Sequence, residues 1–213
     1  MESLCGKKFP KEFKVLLLGP EDAGKTSLLY QIKMHEKVVT IPTLGFNVEN
    51  VTHKKANFLI FDLGKFETGS PKEFYEGTDF IIYVVDSTDE RKLYEASKKL
   101  SILLDDEELK DAGLAIAANK NESKNALDTY EIIERLELKR ISRNWTVIAT
   151  TGITGEGTKE ILDYMVEYFT EKYLKKPEEK DVEPIKKKIN KDFNSQKLEE
   201  EIKEIDEFKI MKD

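Results

Sequence analysis

The chain has 213 residues, a formal net charge of −7, and 39% hydrophobic and 9% aromatic residues. That length admits one α/β domain plus an appendage with a normal core, and the acidic balance argues against wholesale nucleic-acid binding. The single cysteine, Cys5, excludes an internal disulfide and a cysteine-rich metal site, no apolar run approaches bilayer length, and Met1–Lys8 lacks the apolar core of a secretory signal, all of which suits a reducing cytosol.

Taken in chain order, apolar runs and helical patterns alternate. Residues 13–18 read as a buried strand, 25–34 as a helix, and 46–51 and 57–61 as two strands around Thr52–Ala56. No helix separates those two strands, so they form an antiparallel hairpin at a sheet edge. Strands follow at 80–85, 114–118 and 145–149, with helices at 91–104, 130–136 and 159–173. Leu93, Ala96, Leu100, Leu103 and Leu104 line one face of the second helix, and Tyr130, Ile133 and Leu136 one face of the third. Asp89 or Thr88, and Thr158, stand where N-caps belong. Alternating strands and helices imply crossover connections and a mostly parallel six-stranded sheet in an α/β sandwich. His35 and His53 are isolated and read as solvated surface residues.

Composition changes after Leu174. Residues 177–213 are highly charged, with Pro177 and Pro184 breaking helices. Leu198, Ile202 and Ile205 recur at helical spacing from about Ser195. The expected organisation is an N-terminal segment over 1–12, a domain over 13–176 and a partly helical tail over 177–213. A solvated helix is the first reading of the tail; a short coiled coil or a helix folding back remains open, because two turns are too few to define a coiled coil.

The strongest chemical signal is Gly19–Pro20–Glu21–Asp22–Ala23–Gly24–Lys25–Thr26–Ser27, which follows the first strand and opens the first helix. It fits the phosphate-loop pattern. Glycines let backbone N–H groups turn inward around a phosphate. Lys25 reaches the β- and γ-phosphates, Thr26 offers a hydroxyl to Mg²⁺, and the helix dipole favours the same anion.

Four further elements stand in order along the chain. Thr43, in the loop Thr40–Val48, can offer a hydroxyl to Mg²⁺ and an N–H to phosphate. Asp62 can hold Mg²⁺ through water, while the Gly64 N–H can read the γ-phosphate. Asn119, Lys120 and Glu122 follow a buried strand, and a carboxylate there accepts the N1–H and N2–H of guanine, a donor pair that adenine lacks. Thr151 and Gly152 end the last strand, where a backbone N–H can bond guanine O6. In such sheets ligands bind beyond the strand carboxyl ends.

Together these motifs resemble the Ras-type GTPases, and within them the ADP-ribosylation factor (Arf) and Arf-like family. Ile41–Glu49 resembles that family's first switch almost letter for letter. Val84–Ser87, Asn144–Trp145 and Thr154–Gly157 match as well. The similarity spans roughly Phe13 to Lys175. It implies a P-loop NTPase fold and a GTP/GDP switch with Mg²⁺. Exchange factors load such switches, activating proteins reset them, and effectors respond in vesicle or intracellular protein transport. The implied location is the cytoplasm, and peripheral contact with an intracellular membrane stays open.

Departures from the family pattern bear on mechanism. The family's second switch reads Trp-Asp-x-Gly-Gly-Gln; here it is Phe61–Asp62–Leu63–Gly64–Lys65–Phe66. Phe66 stands where glutamine orients the attacking water, and a phenyl ring cannot do so. Lys65 replaces a glycine and restricts the backbone, although its ammonium is a candidate for partial compensation. The segment Glu67–Gly77 is about two residues short and lacks the family's aromatic-basic helix face. These changes leave open a non-cycling scaffold on the same fold. A P-loop kinase would need an acceptor-binding lid and extra arginines. Glu2 replaces the glycine that carries myristate, the end at Asp213 is no prenylation box, and Cys5 among lysines is a candidate for lipidation. An unmodified terminus is the default.

Glu21 and Asp22 add negative charge beside the phosphates. Glu122 replaces the family's aspartate and moves the carboxylate by about one C–C bond, ~1.5 Å. Guanine preference should persist with weaker binding. Calorimetry with GTP and ATP tests this, and tighter ATP binding contradicts it.

Overall fold

The computed structural model describes residues 9–34, 45–64 and 71–174. They belong to one compact unit, Met1–Leu174, while the second unit, Lys175–Asp213, lies outside the described residues. The expected tail helix and Cys5 fall outside them too, as do Thr43, Lys65 and Phe66.

Six strands form one sheet: β1 (Phe13–Leu18), β2 (Phe46–His53), β3 (Ala56–Leu63), β4 (Phe80–Asp86), β5 (Gly113–Asn119) and β6 (Trp145–Ala149). Their spatial order is β2-β3-β1-β4-β5-β6. All neighbours run parallel except β2 and β3. The helices are α1 (Lys25–Met34), α2 (Glu90–Leu104), α3 (Thr129–Arg135) and α4 (Thr158–Tyr173). Three single 3₁₀ turns at Pro71–Phe74, Glu107–Leu109 and Leu138–Arg140 were not anticipated.

The sequence of β1 explains its central place. It lies between two parallel neighbours, so both faces are covered and almost every residue is apolar. Phe13, Val15 and Leu17 face one core with Leu28, Leu29 and Ile32 of α1 and Ile161, Met165 and Phe169 of α4. Leu16 and Leu18 face the other core with Leu93, Ala96 and Leu100 of α2, Ile132 of α3 and Leu136, which caps it. The period of two along the strand thus feeds two cores, and the result is a three-layer sandwich.

The first core rests on stacked aromatic rings. Phe13 and Phe169 lie 3.8 Å apart between ring centroids at an interplanar angle of 3°. Phe9 packs edge-on to Phe13 at 5.5 Å, and Phe58 and Phe80 flank Phe169 at 6.1 and 6.0 Å. Close packing also sets the start of β5. A Cβ on Gly113 would lie 2.4 Å from the Phe80 ring, so the strand begins with glycine.

The hairpin turn is Lys54–Lys55, both at positive φ, 45° and 70°, between the paired residues His53 and Ala56. That is the backbone of a two-residue turn matched to strand twist, built here without glycine. His53 corrects the surface expectation. Its ring is partly buried, and Nε2 meets Asp163 Oδ1 at 2.6 Å. Lys54 and Lys159 join the same carboxylate at 2.7 and 2.8 Å. Hydrogen bonds from Lys159, Lys54 and His53 hold the Asp163 carboxyl well below the usual carboxylate range. The isolated histidine therefore belongs to a charge cluster that ties the hairpin to α4, an arrangement invisible at a separation of 110 residues.

Two further expectations are corrected. Asp89 caps α2 by accepting from Arg91 N and Lys92 N, but Thr158 is not the cap of α4. Gly157 occupies that position at φ 80°, because a Cβ there would lie 2.1 Å from Ala149 O. Thr158 instead donates its hydroxyl to Gly155 O at 2.6 Å. At α3 the buried pair is Ile132 and the C-cap residue Leu136, while Tyr130 is exposed and Ile133 only half-buried. The capping box of Asp128 and Glu131 fixes the start of the helix, and docking turns the i, i+4 pair inward.

Phe169→Ala should remove the stacked ring and lower stability by about 3–5 kcal/mol. Denaturant unfolding reads this directly, with the midpoint falling and the slope unchanged.

Candidate functional site

The carboxyl ends of β1, β3, β4, β5 and β6 lie at one end of the sheet, as their parallel registers require. The residues singled out in the described sequence gather there. At the end of β1 the chain passes Gly19 at φ 142°, where a Cβ would lie 2.1 Å from Val84 O. Glu21 and Asp22 are exposed, and Asp22 adopts φ 59°. Ala23 is buried. Gly24 sits at φ 88°, with its Cβ position 2.3 Å from Asn119 Nδ2. Only glycine fits at both closures.

α1 begins at Lys25 with no acidic residue in its first turn. Its positive end is therefore not neutralised by the helix itself. Lys25 Nζ donates to Gly19 O at 3.1 Å and to Pro20 O at 3.0 Å. Burial lowers the Lys25 pKa, and nearby Asp62, Glu21 and Asp22 oppose that shift. Thr26 Oγ1 donates to Asp62 Oδ2 at 2.5 Å. Asp62 is fully buried on β3. A loop, a helix N-terminus, an ammonium and two hard oxygens thus converge. The Gly64 N–H donates to Gly45 O at 3.0 Å.

Asn119 joins this phosphate-type loop to the other half of the site. The residue is 2% exposed. Its Nδ2 donates to Ala23 O at 2.7 Å, while its Oδ1 accepts from Gly152 N at 2.9 Å and Thr150 Oγ1 at 3.4 Å. The backbone carbonyl of Asn119 accepts from Ser87 N and Ser87 Oγ at 2.9 and 2.7 Å. Lys120, at φ 65°, donates Nζ to Asp86 Oδ2 at 2.6 Å. Burial pushes the Asp86 carboxyl up, but bonds from Lys120 and Thr88 outweigh it and leave the group below its ordinary range.

Glu122 is exposed in the loop after β5. Asn121 N donates to Thr150 O at 3.1 Å, which sets that loop against the one after β6. Both amides expected to face a base are used within the protein. Thr151 N donates to Glu156 O at 3.1 Å, and Gly152 N to Asn119 as above. Gly152 packs on α1, with its Cβ position 3.0 Å from Ser27 Cβ. The loop closes on Asn119 and on itself, so these amides serve first to shape it.

Asp86 and Ser87 were not singled out as site residues. The signal was a carboxylate and a hydroxyl at the end of an all-apolar strand. A second feature also went unread. Phe46, Phe61 and Phe74 form an aromatic cluster, with centroids 5.0 Å apart for Phe46–Phe74 and 6.2 Å for Phe61–Phe74. Phe46 is 49% exposed. Three residues from β2, β3 and the following turn meet only when the hairpin folds.

A six-stranded sheet with a phosphate-type loop after its first strand, and acidic and amide groups at the neighbouring strand ends, defines a P-loop nucleotide-binding protein. A family profile described as the ADP-ribosylation factor family matches residues 1–169. The ADP-ribosylation factor-like protein 1 of Saccharomyces cerevisiae (strain ATCC 204508 / S288c) is 40% identical over 167 residues, covering 77% of this chain and 91% of that protein. The Arl6 BBS3 small GTPase of Trypanosoma brucei, solved with the nucleotide analogue GppNp, matches in fold with a TM-score of 0.69 at 24% identity. That match covers 76% of this chain and 99% of the other. The chain belongs to the ADP-ribosylation factor family of small GTPases. Among the described residues no helix is long and apolar enough to cross a membrane.

Asn119→Ala should leave Ala23 O and Gly152 N without their partner at a cost of about 1–3 kcal/mol each. Unfolding measurements should show the loss, and bound nucleotide should be shed during gel filtration.

Proposed function

We propose that the protein is a Mg²⁺-dependent GTP/GDP switch with impaired intrinsic hydrolysis, acting in vesicle or intracellular protein transport from the cytoplasm and the periphery of an internal membrane. Membership of the Arf family supports the switch. The observation that carries it is the 2.5 Å bond between Thr26 Oγ1 and Asp62 Oδ2 beside the Lys25 ammonium. A hydroxyl and a carboxylate at the N-terminus of α1 are hard oxygen donors of the kind Mg²⁺ takes when phosphates complete its shell. Bound there, Mg²⁺ neutralises charge on the phosphates.

The remaining roles fall to groups of this chain. Gly19–Ser27 wraps the phosphates, and Lys25 exchanges its loop carbonyls for them. Thr43 contacts the γ-phosphate and offers its hydroxyl to Mg²⁺, and the Gly64 N–H reaches the same phosphate only on leaving Gly45 O. The exposed Glu122 carboxylate reads the guanine N1–H and N2–H, with Asn119 and Lys120 framing the base and Thr151–Gly152 beside it. Phe66 supplies no water-orienting group, so hydrolysis is slow. Effectors that recognise the loaded form meet the aromatic surface of Phe46, Phe61 and Phe74. Exchange factors and activating proteins are the matching regulators.

The second reading is a scaffold that binds GTP or nothing and does not cycle, and Phe66 and Lys65 favour it. Single-turnover hydrolysis separates the two. The unaltered protein should carry guanine nucleotide through purification and turn it over slowly. Phe66→Gln should raise the rate on the order of 10²–10³-fold, the usual effect of one positioning group. Equal rates would defeat the assignment of slow hydrolysis to Phe66.

A further inference from the structure

Gln31 lies in the second turn of α1 and is 1% exposed. Its Nε2 donates to Ile153 O at 2.9 Å. Its Oε1 has no hydrogen-bond partner among the described residues. A half-satisfied buried amide is an unfavourable choice for a core position, where an apolar side chain of equal size would avoid the orphan oxygen. What the amide does supply is a single bond from α1 to the loop after β6.

The loop is shaped to receive it. Ser27 and Gln31 are one turn apart and share a face of α1. A Cβ on Gly152 would lie 3.0 Å from Ser27 Cβ, and one on Gly155, at φ 81°, would lie 2.7 Å from Gln31 Oε1. Glycine thus stands at two of the points where the loop touches that face, on either side of Ile153. The loop also holds itself through Gly155 N to Thr151 O at 2.9 Å. Its outside attachments include Gly152 N on Asn119 and Ile153 O on Gln31.

We propose that Gln31 is a positioning residue that braces the loop of Thr151–Gly152 against the phosphate-gripping helix, and so sets how long guanine stays bound. The inference rests on the reading of the site as a guanine-nucleotide site. α1 carries Lys25 and Thr26 at its start and Gln31 about a turn and a half on, so one rigid helix contacts both the phosphate loop and the base-side loop. Without the Gln31 donor, Ile153 O loses its tie, the loop loosens, and the base leaves sooner while the phosphate grip stays as it was.

The test uses the full chain with Mg²⁺ and fluorescent GDP. Gln31→Met keeps the volume and removes the donor; Gln31→Glu also sets a carboxylate against the Ile153 carbonyl. GDP release should quicken on the order of five- to tenfold in Gln31→Met, the effect of one lost hydrogen bond, and further in Gln31→Glu. The affinity for inorganic pyrophosphate, measured by competition, should stay within about twofold, because it engages only the phosphate loop. Equal weakening of GDP and pyrophosphate would mark Gln31 as merely structural and overturn the proposal. Unchanged GDP release in Gln31→Met overturns it too, while leaving the nucleotide site standing. Failure of the unaltered protein to bind GDP would bring down the switch reading and this inference together. If Gln31→Met does not fold, hydrogen exchange of the unaltered protein decides: GDP should protect residues 152–155 together with 27–32, and protection confined to 19–27 overturns the coupling.

Discussion

The buried side chain of Asn119 is the join on which this site depends. One amide group spends its donor on Ala23 O and its acceptor on Gly152 N. Three segments far apart in sequence are thereby held at one point: the loop after β1, the end of β5 and the loop after β6. Such a bridge works because it is dry. In a low-dielectric interior each bond is strong and each unmade bond is costly. Gly24 makes the approach possible, since any side chain there would occupy the space of the Asn119 amide. The glycine and the asparagine are a single fitted contact.

The sheet puts that contact at the right end of the molecule. β1, β4 and β5 are buried on both faces and run parallel. Buried polar residues of the sheet therefore gather at or next to the strand ends. Asp62, Asp86, Ser87 and Asn119 all stand where an apolar strand stops, and all are buried. Each has a partner that the fold supplies: Thr26 for Asp62, Lys120 for Asp86, and Ser87 for the backbone of Asn119. The opposite end is closed by packed rings around Phe13 and Phe169. Rigidity at one end leaves the loops at the other free to carry chemistry.

The β2–β3 hairpin differs from the rest of the sheet. It is the antiparallel edge, its exposed face carries Phe46 and Val48, and its turn is tied to α4 through the Asp163 cluster. Lys33 of α1 pairs with Glu49 on β2 as well. The hairpin therefore links Asp62 in the site to an aromatic patch on the surface.

Much of this was legible in the chain itself. β1, α1 and β6 were read to their final residue, because apolar runs and helical spacing are local properties set by covalent period. The phosphate loop was legible for the same reason: glycines, lysine and threonine act within nine consecutive residues. Contacts between distant residues were not. The tie of His53 to Asp163, the inward turn of Ile132 in α3, the glycine cap of α4 and the joining of Phe46, Phe61 and Phe74 all depend on which surfaces meet. The sequence determined the elements and the chemistry each could offer. Tertiary packing decided which groups face one another, because a buried hydrogen bond or an aromatic contact exists only once the intervening chain has brought both partners out of water.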